Sequence, residues 1–444
     1  MLGDIFVGLI DQSVTSFNED LISFLNQSVS PYHAVLDISR QLMEANFVQL
    51  EEKKIWDLQP GGKYFVVRGG SSIAAFVIGS KSPPEDGIRL LGAHTDSPVL
   101  TIKPQPEIEK DGLLQLGVEV YGGALLNPWF DRDLSVAGRV SFSIDNESVL
   151  GSSVIDFKRP VAFIPSLAIH LDRDANSNRT INSQKHIVPV IMQLSDAGSV
   201  DFRNYLKQTL IKDNALLKVD NVLDYDLVLY DTQPASFVGL KKEFIASARL
   251  DNLLSCYSCL RAMLESNFSY SSMLIFNDHE EVGSGSSIGA QGPFLKSVLR
   301  RLCGNEEAFI RSSQSSILIS TDNAHAVHPN YSDRHDKNHS PRLNEGPVIK
   351  INANQRYATN SKTAGLFRML ADSVGVPVQT FVMRSDMRCG STIGPISAME
   401  TGISTLDVGA PTLGMHSIRE LAGYKDAQSL AMVLRAVLDC SQLD

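Results

Sequence analysis

Asn277-Asp278-His279-Glu280-Glu281-Val282-Gly283-Ser284-Gly285 follows a short apolar run at residues 273–276, and this junction decides the reading of the whole chain. Four large apolar residues that stop at a polar turn read as a buried strand. Two adjacent acids at the end of such a strand are costly unless something positive meets them, and a metal ion does so.

Four other apolar runs end the same way. His94 follows the run at 88–93, and Asp251 stands in Ser247-Ala248-Arg249-Leu250-Asp251-Asn252. Asp322 follows Ile317-Leu318-Ile319-Ser320-Thr321, and His416 stands in Leu413-Gly414-Met415-His416-Ser417. Ligands of open α/β sheets collect at the carboxyl ends of the strands, so residues delivered from different strand ends can meet on one edge. Histidine mixed with carboxylate suits zinc, manganese or cobalt, which accept both nitrogen and oxygen. Two histidines with three carboxylates also suit two ions sharing one bridging carboxylate, with a remaining acid left as general base. Each residue taken singly admits a plainer reading. Asp251 can be a helix-terminal acid favoured by the dipole, His416 a satisfied half-buried histidine, and Glu280-Glu281 a solvated turn before ordinary loop glycines.

Working outward, residues 18–48 carry helical spacing, 64–67 and 73–78 form a hairpin around Arg68-Gly69-Gly70-Ser71, and 88–93 is a further strand. From 97 to 235 the texture changes to alternating apolar and polar runs with no long helical pattern until about Val200. This stretch reads as a β-rich insertion carried on a parent domain made of residues 1–96 and 236–444. From Phe237 strands and helices alternate: helices at 250–264, 293–302, 363–374 and 427–438, strands at 273–276, 316–320, 378–382 and 403–408. That order predicts an α/β layered domain with a mostly parallel sheet.

The 444 residues carry a net charge of −10 and 43% hydrophobic residues. Such a balance suits a globular chain with a large core, and it argues against nucleic acid and anionic membrane as partners. Five cysteines, Cys256, Cys259, Cys303, Cys389 and Cys440, fit no disulfide framework and suit a reducing compartment. Cys256-x-x-Cys259 lies in a helical segment without a second pair, so buried thiols are expected. No long apolar span and no basic leader is read from the sequence, and the expected location is the cytoplasm. Gly283-Ser284-Gly285-Ser286-Ser287-Ile288-Gly289 lacks the Gly-Lys-[Ser/Thr] of a phosphate loop, and no nucleophile elbow has a histidine to spare.

Gly92-Ala93-His94-Thr95-Asp96-Ser97-Pro98, Ser247-Ala248-Arg249-Leu250-Asp251-Asn252-Leu253, Asp278-His279-Glu280-Glu281-Val282-Gly283-Ser284, Asp322-Asn323-Ala324-His325-Ala326-Val327-His328-Pro329-Asn330-Tyr331 and Met415-His416-Ser417-Ile418-Arg419-Glu420 together resemble the motifs of the aspartyl aminopeptidase family of metallopeptidases. The likeness runs from Ser30-Pro31-Tyr32-His33 to the C-terminal helix and is closest to the bacterial members. The residues before Phe17 extend beyond their pattern.

The resemblance implies an α/β/α zinc-peptidase domain interrupted by a β-rich dimerisation domain. It implies that Asp251 bridges two divalent ions, zinc foremost with manganese or cobalt as alternatives, one completed by His94 and Asp322 and the other by Glu281 and His416. Glu280 is then the general base acting on a metal-activated water. Asp96 orients the His94 imidazole, and a cis Asp251–Asn252 peptide is expected. By the same analogy His328 stabilises the oxyanion, and His170, in the insertion, reaches the active site of a neighbouring subunit and contacts substrate there. His325, His335 and His339 are expected to be structural. Lys350 is implied to meet the side chain of an N-terminal Asp or Glu, and the assembly is implied to be a tetrahedral dodecamer of dimers acting on peptides. A relative preferring leucine leaves a neutral specificity open, and a non-catalytic shell protein is the reading from another class. Arg388, in Arg384-Ser385-Asp386-Met387-Arg388-Cys389, stands where the family pattern has a smaller residue. It can narrow the pocket, add an anchor or point to solvent.

Overall fold

The computed structural model describes residues 2–144, 148–194 and 201–443, with side chains described from Gln12 onwards. Contacts divide the chain into two units: Met1–Ser97 with Ala235–Met415 and Glu420–Asp444, and Pro98–Pro234 with His416–Arg419.

The first unit is built on a nine-stranded sheet. In spatial order its strands are Val48–Gln49, Lys63–Arg68, Ser72–Val77, Ser272–Asn277, Arg89–His94, Ile317–Thr321, Ser404–Gly409, Val348–Ile351 and Gln379–Val382. Five of its eight pairings are parallel, so the sheet is mixed with a parallel centre. The central strands are buried on both faces, as continuous apolar runs require. Leu91, Ala93, Leu274, Phe276, Ile317 and Ile319 point into one core with Leu21, Leu25, Ile38, Leu253, Leu260 and Leu430 of the helices on that side. Leu90, Met273, Ile275 and Leu318, one residue out of phase, enter a second core with Phe294, Val298, Leu299 and Phe309. This period-two division of one strand between two cores is the α/β/α sandwich. A smaller sheet of the same unit joins Ser236–Val238, Phe244–Ser247, Glu420–Gly423, Pro411–Leu413 and Ala324–His325.

The second unit is a six-stranded antiparallel sheet, Val149–Asp156, Leu134–Ile144, Asn221–Asp231, Val99–Lys110, Leu113–Tyr121 and Val190–Gln193 in order. The helix Phe202–Asp213 places Phe202, Leu206 and Leu210 in its core with Trp129, Phe142 and Leu229. Residues 416–419, read from sequence as part of the peptidase domain, group here for a visible reason. Ile418 enters this core, the Leu125 N–H donates to the His416 carbonyl at 3.0 Å, and the Arg419 guanidinium donates to the Pro234 carbonyl at 3.1 Å.

Helix Leu2–Gln27 begins well before the residue at which the helical reading starts. Helix Glu306–Ser315 was not read from the sequence because its surface is polar, and strand Val348–Ile351 because Lys350 interrupts its apolar run. Among the described residues no helix is long and apolar enough to cross a membrane.

Candidate metal centre

Strand Arg89–His94 lies between two parallel neighbours, with Asn277 in register with His94 on one side and Ser320 in register with Gly92 on the other. The three strands therefore end together. The chain leaving the first neighbour supplies Glu280 and Glu281 within four residues, and the second supplies Asp322 at the next residue. Asp251 comes from the start of helix Leu250–Leu264, whose backbone is non-helical at Asp251 and Asn252 and enters through Arg249 at φ 59°. The Asp251–Asn252 peptide is cis, as the resemblance implies.

His94 is buried, and its Nε2 faces three carboxylates: Asp251 Oδ1 at 3.7 Å, Asp322 Oδ1 at 3.8 Å and Glu280 Oε2 at 4.0 Å. These separations are too long for hydrogen bonds. Those to Asp251 and Asp322 suit ligand atoms sharing one ion at bond lengths of about 2.0–2.2 Å. On the other side of the ring Nδ1 meets the Asp96 carbonyl at 3.0 Å. A carbonyl can only accept, so Nδ1 carries a proton, and in the neutral ring Nε2 keeps its lone pair for the carboxylate side, as in metal-bound imidazole.

Asp96 does more than orient a ring. Its Oδ1 lies 3.3 Å from His94 Nδ1 and accepts the Glu280 N–H at 3.2 Å, and its Oδ2 accepts the Glu281 N–H at 3.1 Å. One buried carboxylate thus fixes both the imidazole and the turn that presents the two glutamates. That turn needs two left-handed residues, His279 at φ 67° and Gly283 at φ 91°. His94, Asp251 and Asp322 offer ligand atoms all within 4.8 Å of one another, as do His94, Glu280 and Glu281.

The electrostatics fit a cation. Burial raises Glu280 to about 7, the nearby Asp322, Asp96 and Asp251 adding to the rise and the His94 charge opposing it. Burial alone lowers His94, yet its contacts with Asp322 and Asp96 and the charge of Glu280 outweigh that and hold the ring well above its usual range. Asp322 is held low in spite of burial, because the Lys350 ammonium and His94 outweigh it. The cluster carries excess negative charge that a divalent ion neutralises, displacing protons as it binds.

Lys350, in strand Val348–Ile351, is buried, with Nζ 3.2 Å from Asp322 Oδ2 and 5.4 Å from the centre of the Tyr357 ring. His328 is half-buried; its Nδ1 accepts the Asn330 N–H at 3.2 Å and its ring lies 4.9 Å from that of Tyr331. His170 is exposed in a turn of the second unit. His416 is described within that unit: its Nδ1 meets the Gly123 carbonyl at 3.2 Å, which puts the proton on Nδ1 and leaves the lone pair to Nε2. Arg388 is exposed in the loop after strand Gln379–Val382. Cys256 and Cys259 are buried thiols beneath the site, one donating to the His94 carbonyl at 3.0 Å and the other 3.0 Å from Thr321 Oγ1.

Two supporting residues lie inside the quoted motifs, but their contacts were not read from the sequence. The Ser97 hydroxyl donates to the Asp251 carbonyl at 2.6 Å, and the Asn252 amide donates to the Thr321 carbonyl at 2.8 Å. Their spacing to the groups they hold is 154 and 69 residues, so no local pattern shows which group each one meets.

A family model described as aminopeptidase I zinc metalloprotease (M18) matches residues 24–437. The chain belongs to the M18 family of zinc metallopeptidases. It is 55% identical to the probable M18 family aminopeptidase 2 of Pseudomonas aeruginosa over 426 residues, 96% of this chain and 99% of that one. The cryo-EM structure of the Ape4 and Nbr1 complex contains a chain that is 39% identical, with a TM-score of 0.92 over 96% of this chain and 86% of that one. The structure of the S. cerevisiae mApe1 dodecamer is 28% identical, with a TM-score of 0.81 over 94% and 95%. This M18 protein is thus a metallo-aminopeptidase, and the donor set around His94 is what a zinc enzyme of that kind requires.

Proposed function

We propose that this M18 aminopeptidase holds two divalent ions, zinc foremost, and removes N-terminal Asp or Glu from peptides. Asp251 would be shared between the ions, His94 and Asp322 would complete one, and Glu281 and His416 would complete the other. The observation that carries the reading is the buried meeting of His94, Asp251 and Asp322 with the Glu280–Glu281 turn braced by Asp96. Manganese and cobalt suit the same nitrogen and oxygen donors.

Bound ions supply Lewis-acid polarisation of the scissile carbonyl and lower the pKa of water toward ~7. The chain's own residues do the rest. Glu280 accepts a proton from the attacking water and returns it to the leaving amine nitrogen, and burial raises its carboxyl to about 7 before an ion acts on it. Asp96 keeps Glu280 and His94 in fixed relation through the cycle. His328 donates to the developing oxyanion. Lys350 meets the acidic side chain of the substrate, supported by the placement of a buried ammonium against Asp322, beside the cluster. A neutral, leucine-type preference is the second reading, favoured by the contact Lys350 already makes with Asp322.

The dodecamer named for S. cerevisiae mApe1 supports a tetrahedral dodecamer here, built from dimers through the β-rich insertion at 97–235, with His170 reaching a neighbouring subunit's substrate. Sizing in solution tests this, and a monomer overturns it. We place the enzyme in the cytoplasm with no nucleic-acid or membrane partner, in keeping with its net charge of −10. The Glu280→Gln protein tests the mechanism: metal content and assembly stay, and kcat falls by roughly 10²–10⁴. Unchanged turnover removes Glu280 as the base.

A further inference from the structure

Glu420 opens strand Glu420–Gly423 and is buried. That strand pairs antiparallel with Phe244–Ser247, and the register sets Glu420 opposite Ser247. Ser247 is four residues before Asp251, so the ladder delivers the Glu420 carboxylate to the entry of helix Leu250–Leu264. The first N–H groups of a helix have no partner within it. The non-helical backbone at Asp251 and Asn252 leaves the Asp251 N–H to be satisfied from outside. Glu420 Oε2 accepts it at 2.9 Å.

The carbonyl of the same residue is held from a different element, by the Ser97 hydroxyl at 2.6 Å. Both backbone polar groups of Asp251 are therefore held by side chains, one 154 residues before it in sequence and one 169 residues after it. Neither contact touches the Asp251 carboxylate. Fixing the N–H and the C=O fixes the Cα–Cβ vector, and with it the place of the carboxylate that must lie between two ions.

Resting on the reading of Asp251 as the bridging ligand, we propose that Glu420 is a positioning residue for the metal centre, acting through the Asp251 backbone and not as a ligand. What matters is a hydrogen-bond acceptor at that distance, and not the negative charge. Glutamine keeps the acceptor in place, whereas aspartate keeps the charge and draws the acceptor back by one carbon–carbon bond.

The experiment measures zinc stoichiometry and affinity by competition with a chromophoric chelator, and the cobalt absorption spectrum, on full-length wild type and on Glu420→Gln, Glu420→Asp and Asp251→Ala. Wild type binding two ions per subunit, with loss in Asp251→Ala, upholds the metal reading by itself. Given that, Glu420→Gln is expected within about threefold of wild-type zinc affinity with the same cobalt spectrum. Glu420→Asp is expected to bind at least ~10-fold more weakly, the scale of groups that orient ligands, with an altered spectrum and unchanged circular dichroism. Wild-type affinity and spectrum in Glu420→Asp overturn the proposal while leaving the metal reading intact. Equal loss in Glu420→Gln and Glu420→Asp also overturns it, since the charge is then needed as well as the acceptor position. If Glu420→Asp does not fold, Glu420→Gln decides: near-wild-type affinity and spectrum uphold the acceptor role, and a tenfold loss removes it.

Discussion

Lys350 Nζ lies 3.2 Å from Asp322 Oδ2 while Asp322 Oδ1 faces His94 Nε2 at 3.8 Å. One carboxylate therefore stands between a buried ammonium and the metal cluster. When an ion takes charge from Asp322, the ammonium has less to hold and is drawn more strongly to an incoming acidic side chain. Lys350→Met, which keeps length and removes charge, is expected to lower kcat/KM for an N-terminal Asp substrate at least tenfold more than for Leu, about 1.4 kcal/mol of discrimination. Equal losses for both substrates would assign Lys350 to Asp322 alone.

Asp96→Asn removes one of two acceptor oxygens and sets an amide N–H against a backbone N–H at Glu280 or Glu281. A zinc affinity some 10–100-fold weaker is expected, with loss of turnover on every substrate. Full affinity and full turnover would mean that the turn holds its shape without Asp96.

The positions of His94, the Glu280–Glu281 turn and Asp322 were legible because each follows an apolar run that can only be a central strand. The two faces of those strands were legible too, since Leu90 and Leu91, or Leu318 and Ile319, are both apolar and each needs its own core. The hold of Glu420 on Asp251 was not, because it joins groups 169 residues apart and depends on which residue of a short strand stands opposite Ser247. Nor was the grouping of residues 416–419 with the insertion, where a single apolar side chain, Ile418, decides. The mixed order of the sheet was hidden for the same reason: four-residue strands such as Val348–Ile351 carry no direction in their sequence.

Glu280 as general base makes activity depend on pH. As pH falls through its pKa, raised to about 7 by burial before an ion acts on it, the carboxylate takes a proton and can no longer accept one. Bound cations lower that value, and the imidazoles of His94 and His416 must also stay neutral. The kcat/KM profile is expected to fall below about pH 6. A profile flat down to about pH 5 contradicts the need for neutral imidazoles at His94 and His416.

Asp426 offers a test away from the metal. It is fully buried, accepts the N–H groups of Asn344 at 2.7 Å and Gly346 at 3.1 Å, and is raised by burial from 3.8 to about 7. The folded state thus keeps a proton that the unfolded state has released. Its contribution is fully present below the unfolded value near 3.8 and is lost as pH rises through about 7. The Tm of Asp426→Asn minus that of wild type is expected to rise by a few degrees between pH 5 and pH 8. A difference that does not change with pH contradicts the raised value.

The most direct test of the account is kcat/KM on purified, metal-loaded protein for a matched series of substrates with Asp, Glu, Leu, Ala and Lys at the first position. The account predicts that Asp and Glu exceed Leu by more than tenfold, about 1.4 kcal/mol in the transition state. A series led by Leu would contradict the acidic specificity and leave Lys350 as a partner of Asp322.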